Sequence, residues 1–184
     1  MDLHSPALIA LYDLWAQRRA GRAFPARHDF DPADLKPVLG LLSIFEVHRN
    51  PLRFKCRLHG STAAQRLGFD MTGKFVDEAP KPKWSEGAGG HFKRVAMEGA
   101  PSAARYQNII YGEWVLNMES LVLPLSNGGS QVDCLFATVV YYDPRFKSPE
   151  LLPETERAAS RSGFKYDYRE PNAPARDKVT DPAD

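Results

Sequence analysis

Several features that mark metalloproteins, disulfide-stabilised proteins and redox enzymes are scarce in this chain of 184 residues. It has two cysteines, Cys56 and Cys134, and neither belongs to a CxxC pair. Both lie inside apolar strand patterns, which predicts reduced, buried thiols that act as small hydrophobic side chains. The five histidines show no metal-ligand spacing, so we expect no metal site.

Long apolar runs and a strong charge of either sign are also missing. No segment approaches the roughly 20 apolar residues that span a bilayer. The first residues, MDLHSPALIA, lack the basic start and apolar core of a signal peptide. The net charge of +1 gives no large field to attract nucleic acid or an anionic membrane. We therefore expect a cytoplasmic protein that binds neither.

The composition that remains is that of one folded domain with flanking segments. Hydrophobic residues make up 43% and charged residues 26%, which is ordinary for a globular protein. Leu8, Leu11 and Trp15 fall at helical spacing after a Ser5-Pro6 start, which predicts an amphipathic helix within residues 1–22, with the Ser5 hydroxyl as its cap. Residues 23–143 form the predicted domain. Residues 144–184 are proline-rich, and we predict a flexible tail there.

The run from Arg53 to Glu78 is the most informative segment. It predicts an edge strand with Leu52, Phe54, Cys56 and Leu58 on a dry face and Arg53, Lys55, Arg57 and His59 on a wet one. Gly60 ends the strand, and Ser61 or Thr62 is expected to cap a short helix. Gly68 and Gly73 then follow at turns where a positive φ is needed.

The remaining elements complete an α+β domain. Strands are predicted over 39–47, 102–111, 114–125 and 132–142, and the first and last of these are apolar on both faces. If those two pair in the centre, the antiparallel sheet has the order 2-1-5-4-3. A helix is predicted over 83–98, although Gly87, Gly89 and Gly90 weaken its first half. We expect the helices on one face and the N-terminal helix over part of the other.

Three stretches resemble a PAS domain, and more narrowly the small stand-alone bacterial PAS proteins long catalogued as a domain of unknown function. They are GRAFPARHDFDPADLKPVLG, the closing hairpin ESLVLPLSNGGSQVDCLFATVVYYD, and a pattern R-x-x-G…L-G-x-D-x-T-G formed by Arg57, Gly60, Leu67, Gly68, Asp70, Thr72 and Gly73. The resemblance covers residues 5–143. It implies a sensory or interaction module, usually dimeric and without catalysis of its own, that holds haem, flavin, a small metabolite or no ligand.

The sequence argues against haem and against an adduct-forming flavin as the cofactor. A haem-binding PAS domain needs an axial histidine on its long helix, where this chain has His91. With Val95 four residues on, His91 can equally flank the apolar face. An adduct-forming flavin needs a cysteine in an Asn-Cys-Arg type of motif on the helical segment, whereas Cys56 lies on a strand.

A pocket between the inner sheet face and the helices is expected to be lined by aromatic, sulfur-containing and small polar side chains, which would suit a small, mostly apolar metabolite. The candidates are Phe54, Cys56, Met71, Phe75, Trp84, Phe92, Tyr106, Trp114, Met118, Phe136 and Thr138. The alternative is that most of them form the one hydrophobic core.

Charged residues raise two further hypotheses. Arg27, Asp29 and Asp31 either tie the N-terminal helix to the sheet as a switch or serve only turn and capping chemistry. Glu119 and Asp133 either are buried general bases or lie on the exposed side of alternating strands, and we favour the second interpretation.

The leading hypothesis is therefore a PAS sensory protein in signal transduction that is not an enzyme. It would bind a small effector or a partner such as a histidine kinase, respond by moving the N-terminal helix with Leu8, Leu11 and Trp15, and form a homodimer through that helix. The alternatives are a ligand-free interaction scaffold and, at a lower rank, a small enzyme with a buried carboxylate.

Overall fold

The computed structural model describes residues 3–111 and 114–142. In this part of the chain the α-helices are α1 (Pro6–Arg19), α2 (Ser61–Leu67) and α3 (Pro82–Glu98). The strands are β1 (Leu42–His48), β2 (Arg53–Leu58), β3 (Ser102–Tyr111), β4 (Trp114–Leu125) and β5 (Cys134–Tyr142). The predicted tail at 144–184 lies outside the described residues.

The strands form one antiparallel sheet of order β2-β1-β5-β4-β3, which confirms the predicted topology. The central pair is β1 and β5, the two strands whose sequences are apolar on both faces. Their register places Ser43 opposite Ala137 and Phe45 opposite Leu135. A strand buried on both faces has to lie inside the sheet, so the apolar pattern fixed the order.

Each face of the sheet packs against its own helical layer. Phe45, Phe92 and Val95 belong to a core between the sheet and α3. On the other face, Leu8 is fully buried and Trp15 is 2% exposed, both in a core with strand residues such as Leu121. The indole Nε1 of Trp15 also donates a 2.8 Å hydrogen bond to the carbonyl oxygen of Pro124. The expected position of α1 over the second face is confirmed.

The start of α1 is held by a carboxylate rather than by the predicted serine cap. The Ser5 hydroxyl makes no capping hydrogen bond. Instead, the backbone amides of His4 and Ser5 donate to the carboxylate of Glu119 at 2.8–3.1 Å, and Arg105 Nε lies 3.1 Å from the same group. Glu119 is 0% exposed, so the expectation of surface exposure was wrong. A buried anion at a helix N-terminus satisfies amides that the helix itself cannot pair.

The helix α2 also begins differently from the prediction. Its N-cap is Gly60, and neither Ser61 nor Thr62 caps it. Gly60 is needed for packing, since a Cβ there would lie 2.5 Å from the carbonyl oxygen of Gly40. The two later glycines behave as predicted, with φ of +84° at Gly68 and +81° at Gly73.

A β-bulge overturns the predicted faces at the end of β2. Opposite β1, Cys56 pairs with Phe45 but Leu58 pairs with Ile44, so Arg57 is an extra residue in β2. An extra residue reverses the alternation of the side chains beyond it. As a result Leu58, predicted to be dry, is 42% exposed. The side chain of His59, predicted to be wet, is only 4% exposed.

The charged cluster after α1 performs turn chemistry. Asp29 accepts hydrogen bonds from the amide of Ala26 at 2.7 Å and from Arg22 Nη2 at 2.5 Å. Asp31 accepts from the amide of Ala33 at 2.8 Å. Arg27 is exposed and forms no ion pair with a carboxylate of the described residues. The contacts of Asp29 and Asp31 are those of the turn and capping interpretation, and Arg22 ties the end of α1 to this segment.

Three remaining observations concern the described part of the chain alone. No helix in it is long and apolar enough to cross a membrane. No group of three or more His, Cys, Asp or Glu residues in it could hold a metal ion. Both cysteines are free and buried, as predicted, and burial raises the pKa of each thiol to about 12.

Candidate ligand cavity

A cavity of about 130 Å³ lies between the sheet and the helices α2 and α3. It exists because several of the facing positions carry small residues, such as Ser43 and Ala137 on the strands and Gly87 on α3. The residues around it are Leu41, Ser43, Phe45, His59, Ala63, Arg66, Leu67, Trp84, Gly87, Ala88, His91, Phe92, Met118, Ser120, Val122, Ala137, Thr138 and Val139.

Most of the cavity wall is apolar. The rings of Phe45 and Phe92 pack against each other at an interplanar angle of 49°, with centroids 4.6 Å apart. Met118 and Val122 are buried at positions of β4 that face the same way. Such a surface favours the apolar body of a ligand, and polar groups placed among it would set the ligand's orientation.

His59 is the polar group with the clearest geometry. Its Nδ1 accepts a 3.1 Å hydrogen bond from the backbone amide of Met71. The carboxylate of Asp70 lies 3.5 Å from the same nitrogen but is itself 64% exposed. Burial lowers the pKa of His59, and the charge of Asp70 opposes that shift only in part. The ring is therefore neutral near pH 7, with Nδ1 as an acceptor.

His91 contributes a second neutral imidazole from α3. It is 4% exposed, and burial lowers its pKa to about 4, with a further contribution from the positive charge of Arg94. A hydrogen bond with the backbone of Ser102 opposes this shift. Arg94 is held nearby, since its Nη2 lies 2.5 Å from the Ser102 hydroxyl.

Two serines and one arginine complete the polar part of the wall. Ser43 on β1 and Ser120 on β4 are buried, and the Ser120 hydroxyl donates a long 3.4 Å hydrogen bond to the carbonyl oxygen of Ala104. Arg66 is half-buried on α2. No aspartate or glutamate of the described residues lines the cavity.

The structure brings three of the predicted pocket side chains together at the cavity, namely Trp84, Phe92 and Met118. Thr138 also borders the cavity, but it lies on β5 between Ala137 and Val139, whose side chains face the cavity. Because successive side chains of a strand point to opposite faces, the side chain of Thr138 points toward the α1 layer. Its hydroxyl is buried there without a hydrogen-bond partner among the described residues.

Among the predicted pocket residues whose side chains the structure describes, five others lie away from the cavity. Phe54 packs behind Phe92 with ring centroids 5.6 Å apart, and Cys56 and Met71 are fully buried in the same core. Phe75 is an outer residue, with the guanidinium of Arg53 3.8 Å above its ring. Phe136 faces the α1 layer. The side chains of Tyr106 and Trp114 lie outside the described residues.

Sequence reasoning missed the polar residues His59, Ser43 and Ser120 and treated His91 only as a possible haem ligand. Alternation does place Ser43 on the same face as Phe45, and Ser120 on the same face as Met118. That signal was available in the sequence. His59 could not be found in this way, because the bulge at Arg57 reverses its direction.

Cavity size limits what can bind in this conformation. Sites for drug-sized ligands and cofactors measure about 300–1,000 Å³. A volume of about 130 Å³ is below that range and close to the roughly 150 Å³ cavity that holds benzene in an engineered protein. His91 therefore lies in the wall of a site that is too small for a haem.

The comparisons with known proteins agree with this architecture. No curated protein and no solved structure matches the chain. A family model described as a PAS domain matches residues 3–138, which include all three helices and most of the sheet. The chain belongs to the PAS domain family.

Proposed function

We propose that this protein is a cytoplasmic PAS sensor that binds a small molecule in the cavity under α3 and passes the signal to another protein. The observation that carries the proposal is the cavity itself, which combines apolar walls with the polar side chains of His59 and Ser43. A pure interaction scaffold would gain stability by filling this space, since empty volume in a core is costly.

The strand β4 offers a route from the cavity to α1. Met118 and Ser120 face the cavity, while Glu119 between them points to the other face and holds the first amides of α1. A ligand that prefers one position of β4 would shift the population of α1 arrangements. This is how the N-terminal helix would respond.

The structure changes the argument for a homodimer. The apolar side of α1 is buried in its own chain, with Leu11 only 3% exposed. A second copy or a kinase partner would therefore have to dock on another surface. Homodimerisation remains a prediction, and light scattering of the full chain would test it, with a monomer at high concentration as the contradicting result.

The protein is proposed not to be an enzyme. The buried carboxylate that the enzymatic alternative needed is that of Glu119, which points away from the cavity and accepts hydrogen bonds from two backbone amides. Asp133 is half-buried in the turn before β5, where it accepts a 2.9 Å hydrogen bond from the amide of Asn127.

The test is a cavity-filling substitution. Ala137→Leu adds three carbons where Ala137 lines the cavity, and Ala16→Leu makes the same change at an exposed site on α1. Benzene should raise the melting temperature of the wild type and of Ala16→Leu but not that of Ala137→Leu. An equal response of all three proteins, or none in the wild type, would refute binding in this cavity.

A further inference from the structure

We infer that the cavity selects a small ligand with an apolar body and one oxygen that accepts a hydrogen bond from Nε2 of His59. This inference rests on the proposed function, in which the cavity is the ligand site. It names the chemistry of the ligand, which the family membership leaves open.

The tautomer of His59 follows from its hydrogen bond to Met71. A backbone amide can only donate, so Nδ1, which lies 3.1 Å from the amide nitrogen, must be the acceptor. A neutral imidazole with Nδ1 as acceptor carries its proton on Nε2. The nearby Asp70 does not change this assignment, because a ring nitrogen that accepts from the Met71 amide has no proton to donate to a carboxylate 3.5 Å away.

The Nε2 proton of His59 has no acceptor in the described part of the chain. The side chain is 4% exposed and lies in the cavity wall, whereas the hydrogen bonds of its ring all involve Nδ1. A donor that lies in a cavity wall without a protein acceptor is available to a ligand, and a ligand oxygen placed against it would add one hydrogen bond to the binding free energy. The cavity therefore favours a ligand with a hydrogen-bond acceptor at this position.

The surroundings of His59 define the rest of the ligand. Ser43 can add a second donor, and Arg66 is a group that only donates. Phe45, Phe92 and Met118 offer an apolar surface to the remaining atoms. The acceptor is a carbonyl or carboxylate oxygen, and the apolar part is no larger than a small ring.

The experiment compares three probes of equal size on the full chain. Cyclopentanone carries the acceptor, methylenecyclopentane has the same shape without it, and isobutyrate presents a carboxylate. Dissociation constants come from NMR titration of the wild type and of three variants. His59→Asn keeps an acceptor for the Met71 amide but loses the Nε2 donor, whereas His59→Gln keeps a donor near Nε2. His28→Asn, at a side chain that is 78% exposed, is the control.

Relative to His59→Asn, the wild type and His28→Asn should favour cyclopentanone over methylenecyclopentane by an additional factor of about three to ten, as expected for one hydrogen bond. The difference in hydrophobicity between the two probes is the same in every variant, so the ratio of their affinities isolates the hydrogen bond. His59→Asn should lose the additional factor, and His59→Gln should keep part of it. A stronger preference for isobutyrate would identify the natural acceptor as a carboxylate, provided that His59→Asn removes it.

Two outcomes separate the hypotheses. If His59→Asn binds cyclopentanone, methylenecyclopentane and isobutyrate in the same affinity ratios as the wild type, the ligand assignment is wrong while the cavity remains a binding site. If none of the probes binds the wild type, and benzene does not either, the proposed function fails together with this inference.

Discussion

At the scale of single residues, His91 carries a consequence for stability. Its imidazole is buried on α3 beside Arg94 and the backbone of Ser102, and its pKa is lowered to about 4. In the unfolded chain the pKa returns to its ordinary value of 6.5. The unfolded state therefore binds a proton more readily, and the stability present above pH 6.5 is lost as the pH falls toward 4.

We expect the free energy of unfolding to fall by about 2 kcal/mol between pH 7 and pH 5 because of His91. Urea unfolding at a series of pH values measures it. His91→Phe should flatten most of this dependence, leaving the smaller contribution of His59, whose pKa burial also lowers. His28→Gln is the control, and an unchanged slope in His91→Phe would contradict the assignment.

Gly60 gives a second prediction at this scale. A Cβ at this position would approach the carbonyl oxygens of Gly40 and Leu42 to 2.5 and 2.7 Å. Both contacts are with backbone, which cannot rotate away, so Gly60→Ala should destabilise the protein by about 1–3 kcal/mol. Thermal unfolding would show it, and a variant as stable as the wild type would mean that the junction of β2 and α2 can shift.

Prediction of single residues from sequence succeeded where the conformation depends on the local sequence, and it failed where the conformation depends on pairing with another strand. The positive φ angles of Gly68 and Gly73 follow from turn chemistry alone. The directions of Leu58 and His59 depend on an extra residue in the pairing with β1. A strand sequence read by itself contains no sign of that bulge, so the most informative polar group of the cavity was placed on the wrong face.

At the scale of elements, α3 shows how packing outweighs local propensity. Three glycines in its first half argued against a helix there, yet it is continuous from Pro82 to Glu98. The buried side chains of Phe92 and Val95 anchor the second half on the sheet. Once this core forms, extending the helix costs little, because most helix stability in proteins comes from tertiary contacts.

The sheet order, in contrast, could be predicted from the sequence, because the two strands that are apolar on both faces had to be central.

Replacing a glycine of α3 by alanine should therefore stabilise the protein. A Cβ at Gly90 would meet no atom within 4 Å. Gly90→Ala should stabilise the protein by about 0.5–1 kcal/mol, since alanine loses less backbone freedom on folding. Urea unfolding measures the effect. Comparison with Gly60→Ala shows the same substitution at a position with free space and at one where backbone atoms leave none. A loss of stability in Gly90→Ala would show that the helix needs flexibility here.

At the scale of the whole molecule, one strand joins the two layers. The residues of β4 alternate between the cavity and the core under α1, so any shift of Met118 or Ser120 also moves Glu119. Sequence reasoning predicted both layers, because each depends on apolar periodicity. It did not predict this link, because the N-terminal amides and Glu119 are more than 110 positions apart and no local pattern connects them.

Removing the charge of Glu119 should release the start of α1. Glu119→Gln leaves Arg105 without its buried carboxylate and weakens the bonds from His4 and Ser5, so the free energy of unfolding should fall by about 3 kcal/mol. Amide hydrogen exchange should accelerate in α1 more than in α3. Glu46→Gln, at a side chain that is 45% exposed, should change neither.

Adding benzene then tests the coupling. In the wild type, benzene in the cavity should slow exchange in α1 as well as in α3, because β4 contacts both layers. In Glu119→Gln it should slow exchange in α3 alone, since the carboxylate that joins α1 to β4 is gone. If benzene protects α1 equally in both proteins, the signal passes through the core contacts of Trp15 and Leu11 rather than through Glu119.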